Sequence, residues 1–512
     1  MGKANRRDNE AQAPLLGSAC FSGSASPEDR FAAFIDGGSA LDGHAYVGVA
    51  STRIYCRPTC RVATAPKPGN CSYFETRAAA EAAGYRPCKL CRPENAPTVK
   101  NAGETFADVD RAAVVLRALY SRPGAAADVL AFAGIDADAI ADAFEAAQGA
   151  CADDYLLTFR LLGAKALLTD SRVPVADVAR AVGFADEAQL REALRERYRF
   201  EPEDFRRRPV SAANAEKAGI AFYVGYRAPF DFEKLLAFFR YRQLNGVELI
   251  DEKSYSRTVR MPNPAQPDEE LLGWVRVEND AAHNRLACRM SASLLPAYSR
   301  VVARVHHVFD TDCDPERVHA ALHSLDGVVP GSNVLGTRVP GAFDAFEIAV
   351  RAVLGQQVSV LAANKMAERI ALAHGMPIDT GIPGLDRVFP SRDDFLALDP
   401  IEDALGVHGV IKTRSRTIYA LATLNAAHDL DLTLAGVPAE TLECLLAVKG
   451  IGPWSANYIC MRTLGYTDAF LETDAGIKHA LPELTPKERL AAADAWRPWR
   501  SYANVSLWNS LS

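Results

Sequence analysis

Residues 441–481, TLECLLAVKGIGPWSANYICMRTLGYTDAFLETDAGIKHAL, decide the fold. An apolar helix is predicted up to the tight turn Gly450-Ile451-Gly452, and Pro453 can open a second helix at its first position. A short apolar run to Leu471 follows, and then a lone carboxylate, Asp474. Two glycines in three residues let backbone N–H groups come close to a partner, and the helix N-terminus beside them favours an anion. This is the layout of a helix-hairpin-helix that grips a phosphate, with an acid about one helix length downstream.

On these residues the segment resembles the catalytic core of the AlkA-type 3-methyladenine DNA glycosylase II enzymes, within the helix-hairpin-helix superfamily. The resemblance implies that Gly450 and Gly452 hold the DNA backbone, alone or with a monovalent cation, and that Asp474 works on the glycosidic bond. It also implies that Trp454, Tyr458 and Trp508 line a pocket for the flipped base. Trp454 and Tyr458 are four apart on one helix and so share a face. Cationic N-alkylated purines suit such rings, at roughly 0.5–2 kcal/mol per cation–π contact. Asp474 also reads as the N-cap of a helix over 475–481, and the two roles are compatible. Trp454 stands where strand-nicking relatives carry a Schiff-base lysine, which implies a monofunctional enzyme. From the first helix of the hairpin onward only Cys444 and Cys460 occur, too few for a four-cysteine iron–sulfur cluster. Upstream, the turn Gly355-Gln356-Gln357-Val358-Ser359 matches the family's minor-groove turn. By the resemblance Gln356 and Gln357 face DNA, with Gln357 filling the gap left by the extruded base.

The 512-residue chain is long enough for three to four domains, and its 49% apolar and 24% charged composition is that of a soluble globular protein. A net charge of −7 excludes a generic polycation, so DNA contact must come from local basic patches. No stretch is long and apolar enough to span a membrane or to serve as a secretion signal. Eleven cysteines, an odd number with four at metal-like spacing, fit a reducing cytoplasm.

Those four are Cys56, Cys60, Cys88 and Cys91, two close pairs separated by 27 residues and able to hold one tetrahedral Zn²⁺. Cys71, between the pairs, reads as a buried small side chain. Residues 44–100 carry nine Lys/Arg against three Asp/Glu, with Arg53, Arg57 and Arg61 beside the first pair, as at a phosphate-facing site. On spacing alone a structural zinc ribbon with a solvated basic face is equally open. The runs RIYCRPTCR and YRPCKLC resemble the N-terminal domain of Ada-type adaptive-response proteins. That resemblance makes Cys56 the acceptor of a methyl group from a DNA methylphosphotriester, and Cys60, Cys88 and Cys91 the remaining ligands. Four thiolates on Zn²⁺ carry formal charge −2 and methylation leaves −1, so acceptance would lower repulsion toward DNA.

Residues 173–206, with a tight turn at Gly183 and the closing FEPEDFR, resemble the second helix-turn-helix of AraC-type regulators, and 128–168 would be the first. Charge departs from that pattern: residues 104–154 hold ten acids against three arginines, and the first candidate recognition helix, DADAIADAFEA, would set carboxylates against the groove. The second unit offers Arg191, Arg195, Arg197 and Arg199. A regulator and a helical spacer are both open readings.

After a small polar linker at 210–218, a strand at 220–226, a helix at 230–242 and alternating segments at 247–261 and 272–290 predict a small antiparallel α+β lobe. This resembles the N-terminal lobe of AlkA-type enzymes. The expectation is therefore a multidomain, mainly α protein: tail 1–28, zinc-bound α+β domain 29–100, AraC-like helical region 104–209, α+β lobe 219–295 and all-α helix-hairpin-helix glycosylase core 296–512. Its implied partner is alkylated double-stranded DNA, with promoter DNA and RNA polymerase if the regulatory unit functions. A monomer in the bacterial cytoplasm, close to the nucleoid, is expected. The alternative is a methylation-switched transcriptional activator whose glycosylase fold is catalytically silent.

Overall fold

The computed structural model describes residues 26–61, 66–100, 102, 107–206 and 219–511. The predicted linker at 210–218 and residues 1–25 of the predicted tail lie outside them. The last two tail residues already belong to a helix, α1 (Pro27–Gly37), capped by the Ser26 side chain, which accepts from the Asp29 N–H at 3.0 Å.

The N-terminal unit carries strands β1 (Tyr46–Val49), β2 (Ile54–Cys56), β3 (Cys71–Phe74) and β4 (Arg86–Pro87) in the order β3-β1-β2-β4, with helix α2 (Arg77–Ala82) between β3 and β4. Cys56 closes β2 opposite Val47, and β4 leads into the Cys88–Cys91 loop, so the sheet brings the two cysteine pairs together.

Six helices follow: α3 (Asp108–Leu119), α4 (Ala126–Ala131), α5 (Ala137–Gln148), α6 (Ala152–Asp170), α7 (Val175–Ala181) and α8 (Glu187–Tyr198). The long α6 is buried on almost every side and separates the two helix pairs α4–α5 and α7–α8. Gly183 turns between α7 and α8 at φ 86, as predicted.

The third unit is a five-stranded antiparallel sheet in the order β5-β9-β8-β7-β6, built from β5 (Ile220–Gly225), β6 (Glu248–Ile250), β7 (Ser254–Pro262), β8 (Glu270–Asp280) and β9 (Arg285–Met290). Along β8 buried and half-buried residues alternate, the two-residue period read from the sequence. Helix α9 (Phe232–Tyr241), capped by Asp231, packs on this sheet and turns its other face to a cleft. The final unit is helical. Its key members are α10 (Tyr298–Val308), α11 (Ala345–Leu354), α12 (Val360–His374), α13 (Lys412–Ala426), α14 (Pro438–Ala447), α15 (Pro453–Thr463), α16 (Ala475–Ala480) and α17 (Arg500–Asn509).

The units are not separate beads. One apolar core runs from Ala78 of α2 through the six helices and into the sheet and α10. Buried ion pairs add to the join: Lys165 on α6 meets Glu94 at 2.5 Å, and Lys100 meets Asp310 at 2.5 Å. Arg92 forks onto Asp170, and the backbone N–H groups and hydroxyls of Ser121 and Ser299 bond reciprocally at 3.2 and 3.0 Å. Where the sequence suggested modules on linkers, the packing is continuous.

Candidate functional site

A cleft of about 1500 Å³ opens between α9, the 355–359 turn, the hairpin and α17. Its floor is made by the residues singled out in sequence. The Trp454 and Tyr458 rings stack with centroids 5.1 Å apart and planes 7° apart. Trp508 stacks on Phe238 at 6.1 Å and 22°.

Asp474 lies between the two stacks. Its Oδ2 accepts from Trp454 Nε1 at 3.1 Å and its Oδ1 from Trp508 Nε1 at 2.9 Å. Oδ1 also accepts from the Gly476 and Ile477 N–H groups at 2.8 and 3.3 Å, which makes Asp474 the N-cap of α16. The capping role and the cleft-facing role coexist in one side chain. All four partners are donors, so they stabilise a carboxylate, and Oδ2, with one bond, keeps a lone pair for a ligand. Gly476 is required here, because a Cβ would stand 2.8 Å from Trp508 Cδ1.

The hairpin is tied from behind. Gly450 has φ 98, and a side chain there would collide with the Thr417 hydroxyl. Gly452 is exposed with open space around its Cα, and it precedes α15, whose first residue is Pro453. Gln357 stands exposed at φ 55 in the upstream turn, well placed to project. Gln356 is half-buried, and its amide donates to the Gly450 carbonyl at 2.8 Å and to Ser455 Oγ at 3.0 Å, so it joins the two loops.

Phe238, Arg242, Arg462 and Gly476 were missed by sequence reading. Arg462 was within reach, since it lies four residues after Tyr458 on one helix face, the spacing already used for Trp454. Phe238 was not, because the pair Phe238-Phe239 does not say which ring turns inward; Phe239 is the buried one.

In the N-terminal unit the sulfurs of Cys56, Cys60, Cys88 and Cys91 all lie within 4.8 Å of one another. Four thiolates around one tetrahedral Zn²⁺ need separations of about 3.8 Å for Zn–S bonds of about 2.3 Å, so the donor set fits. The Leu90 N–H points at Cys88 Sγ at 3.3 Å and the Arg57 N–H at Cys91 Sγ at 3.4 Å, the polarising contacts that thiolates take. Cys56 and Cys88 are buried, and Cys60 and Cys91 are half-exposed. Cys71 is half-exposed rather than buried, because β3 is an edge strand of the sheet.

The basic residues divide. Arg53 and Arg61 are exposed, with the Arg53 guanidinium 5.5 Å from the Tyr85 ring centroid. Arg57 is not: it forks onto buried Asp42 and reaches the Cys91 carbonyl. In the second helix-turn-helix, Arg191 bonds Glu203 at 2.6 and 2.9 Å, Arg195 bonds Glu201 at 2.9 Å and Arg197 bonds Asp154 at 2.8 Å. These three arginines, expected to be available, are committed within the chain, and only Arg199 remains exposed and outside such pairs among the described residues. On α5, Asp138, Asp142 and Glu145 are exposed.

Fold and cleft together define a helix-hairpin-helix protein of the DNA glycosylase type, joined to a four-cysteine metal domain and paired helix-turn-helix units. Residues 29–94 match the metal-binding domain of Ada, 130–208 a helix-turn-helix domain, and 221–344 the AlkA N-terminal domain. A Mycobacterium tuberculosis protein described as a probable bifunctional transcriptional activator/DNA repair enzyme AlkA is 32% identical over 487 residues, covering 92% of this chain and 94% of its own. The chain belongs to that family of Ada–AlkA fusions. DNA-3-methyladenine glycosylase 2 of Escherichia coli is 32% identical over 287 residues, 56% of this chain and 96% of its own. Among solved structures, the 3-methyladenine DNA-glycosylase of Archaeoglobus fulgidus aligns with a TM-score of 0.46 at 17% identity, over 56% of this chain and 97% of that one.

Proposed function

We propose that the chain is a monofunctional glycosylase that releases alkylated bases of the 3-methyladenine and 7-methylguanine type from double-stranded DNA. The observation that carries the reading is the placement of Asp474, held by one indole from each of two aromatic stacks. A base flipped into the slot would put its C1′–N bond beside Oδ2. The bond breaks with its electron pair going to the base, and the carboxylate stabilises the positive charge left on the sugar. A water oxygen then bonds C1′ and passes its proton to the Asp474 carboxylate, which releases it to solvent. The exposed Gly452 and the N-terminus of α15 support phosphate binding at the hairpin, with room for a monovalent cation, and Gln357 supports occupation of the vacated stack.

The N-terminal unit is read as a methyl acceptor. A bound Zn²⁺ would keep the sulfurs as thiolates near neutral pH. The Cys56 thiolate attacks the methyl carbon of a phosphotriester. The S–C bond forms, the methyl–oxygen bond breaks, and its electron pair stays on the phosphate oxygen. After incubation with methylated DNA, peptide mass spectrometry should place one methyl on Cys56. A methyl on the more exposed Cys60 or Cys91 would overturn that assignment.

The activator reading, with a silent glycosylase, is separated by one assay. Chromatography of bases freed from methylated duplex should find 3-methyladenine and 7-methylguanine. No free base, together with a methylation-dependent shift of promoter DNA, would favour the activator.

A further inference from the structure

The aromatic slot has ends of opposite charge. Asp474 stands at one. At the other, Arg462 donates from Nη1 to the Tyr458 hydroxyl at 2.6 Å and from Nη2 to the Gly341 carbonyl at 3.0 Å. Its guanidinium lies 4.9 Å from the Phe238 centroid and 5.5 Å from that of Tyr458. Arg242 lies 3.8 Å from the Phe238 centroid, and both arginines line the cleft. Arg462 is 3% exposed, and its Nε has no hydrogen-bond partner among the described residues. Neighbouring Arg351 is answered by Glu347 and Glu248, whereas no carboxylate pairs with Arg242 or Arg462 among the described residues. The positive end is therefore uncompensated. Burial raises the Tyr458 phenol, yet the charges of Arg462, Arg242 and Arg351 outweigh it and hold the group below its ordinary value.

This geometry bears on which bases leave easily. A cationic alkylated base would meet two rings that already face guanidinium groups, which offset part of the rings' attraction for a cation. It leaves as a neutral molecule and gains little from the arginines. An uncharged base leaves with the C1′–N electron pair and so departs as an anion, with charge spread over its ring nitrogens and carbonyl oxygens. That charge develops toward the arginine end. We propose that Arg242 and Arg462 are specificity-determining residues that favour departure of uncharged bases with acceptor atoms on the edge far from the sugar, Arg462 acting in part through Tyr458. The inference rests on the glycosylase reading.

The test compares single-turnover release of hypoxanthine, an uncharged base with a carbonyl edge, and of cationic 7-methylguanine from matched duplexes. Arg462→Met and Arg242→Met in the full chain should each lower the hypoxanthine to 7-methylguanine rate ratio by at least roughly tenfold. Arg462→Lys, which keeps the charge, should restore most of it. Equal losses on both bases, or a ratio that rises, would overturn the proposal and leave the arginines a packing role. Should Arg462→Met fail to fold, Arg242→Met, at a half-buried position, decides alone. A wild-type protein that frees neither base would sink the glycosylase reading itself, a different result from an unchanged ratio.

Discussion

Asp474 owes its position to the small residue at 476 and to its own helix cap. The absence of a side chain at Gly476 lets the Trp508 indole close on Oδ1, and the cap to α16 fixes the carboxylate from the other side. Gly476→Ala should push the indole away by a few tenths of an ångström, because the new Cβ would begin 2.8 Å from Trp508 Cδ1. Single-turnover base release should fall roughly tenfold, the effect of about 1.4 kcal/mol at the barrier, with the melting temperature nearly unchanged. An unaltered rate would show that the Trp508 contact is dispensable. At this scale much was readable in advance: Trp454, Tyr458, Trp508 and Asp474 do converge on one cleft. The arginine end was only half so: spacing puts Arg462 on the Tyr458 face, but a guanidinium reads as a surface group until folding shows it buried against that ring.

Among the elements, α2 and α8 make the joint that ties the metal unit to the second helix-turn-helix. Glu81 on α2 is fully buried and accepts from Tyr55 and Tyr198 hydroxyls at 2.9 and 2.8 Å, while its second oxygen has no hydrogen bond among the described residues. Burial pushes its carboxyl up to about 7, against the lowering effect of those hydroxyls and of Arg197. A carboxyl raised on folding adds stability below its unfolded pKa of about 4.5 and loses it as pH rises through the folded value. The joint should therefore weaken between about pH 5 and 7.5, by on the order of 3 kcal/mol. Glu81→Gln should flatten the fall in melting temperature across that window. An equally steep fall in the variant would place the titrating group elsewhere. Lys89, between two of the cysteines, sits 3.6 Å over the Phe200 ring and donates to the Asp204 carbonyl at 3.1 Å. Lys89 thus ties the metal unit to the segment that follows α8. Helices, strands and the two glycine turns were legible because period and turn chemistry are local. Ion pairing across elements is not local, which is why the carboxylate partners of Arg57, Arg191, Arg195 and Arg197 were not legible.

Over the whole molecule, the metal unit, the helical region and the glycosylase lobes share buried contacts from Ala78 to Phe309. Their order along the chain could be read from motifs. Their fusion could not, because the joining surfaces are made of apolar residues and charged pairs that carry no signature of a partner until they meet. No helix among the described residues is long and apolar enough to cross a membrane. The arrangement sets the four-cysteine unit and the glycosylase cleft on one continuous scaffold, and the proposed function makes the acid at 474 the chemical centre of that cleft. Asp474→Asn tests that centre most directly, since asparagine keeps the shape and the Oδ1 acceptor for Trp508 and the helix cap, while it removes the charge and sets an amide NH2 against the Trp454 N–H. With methylated duplex in excess, free 3-methyladenine should drop to the uncatalysed level while the variant still binds the same DNA. Release at the wild-type rate would contradict the account.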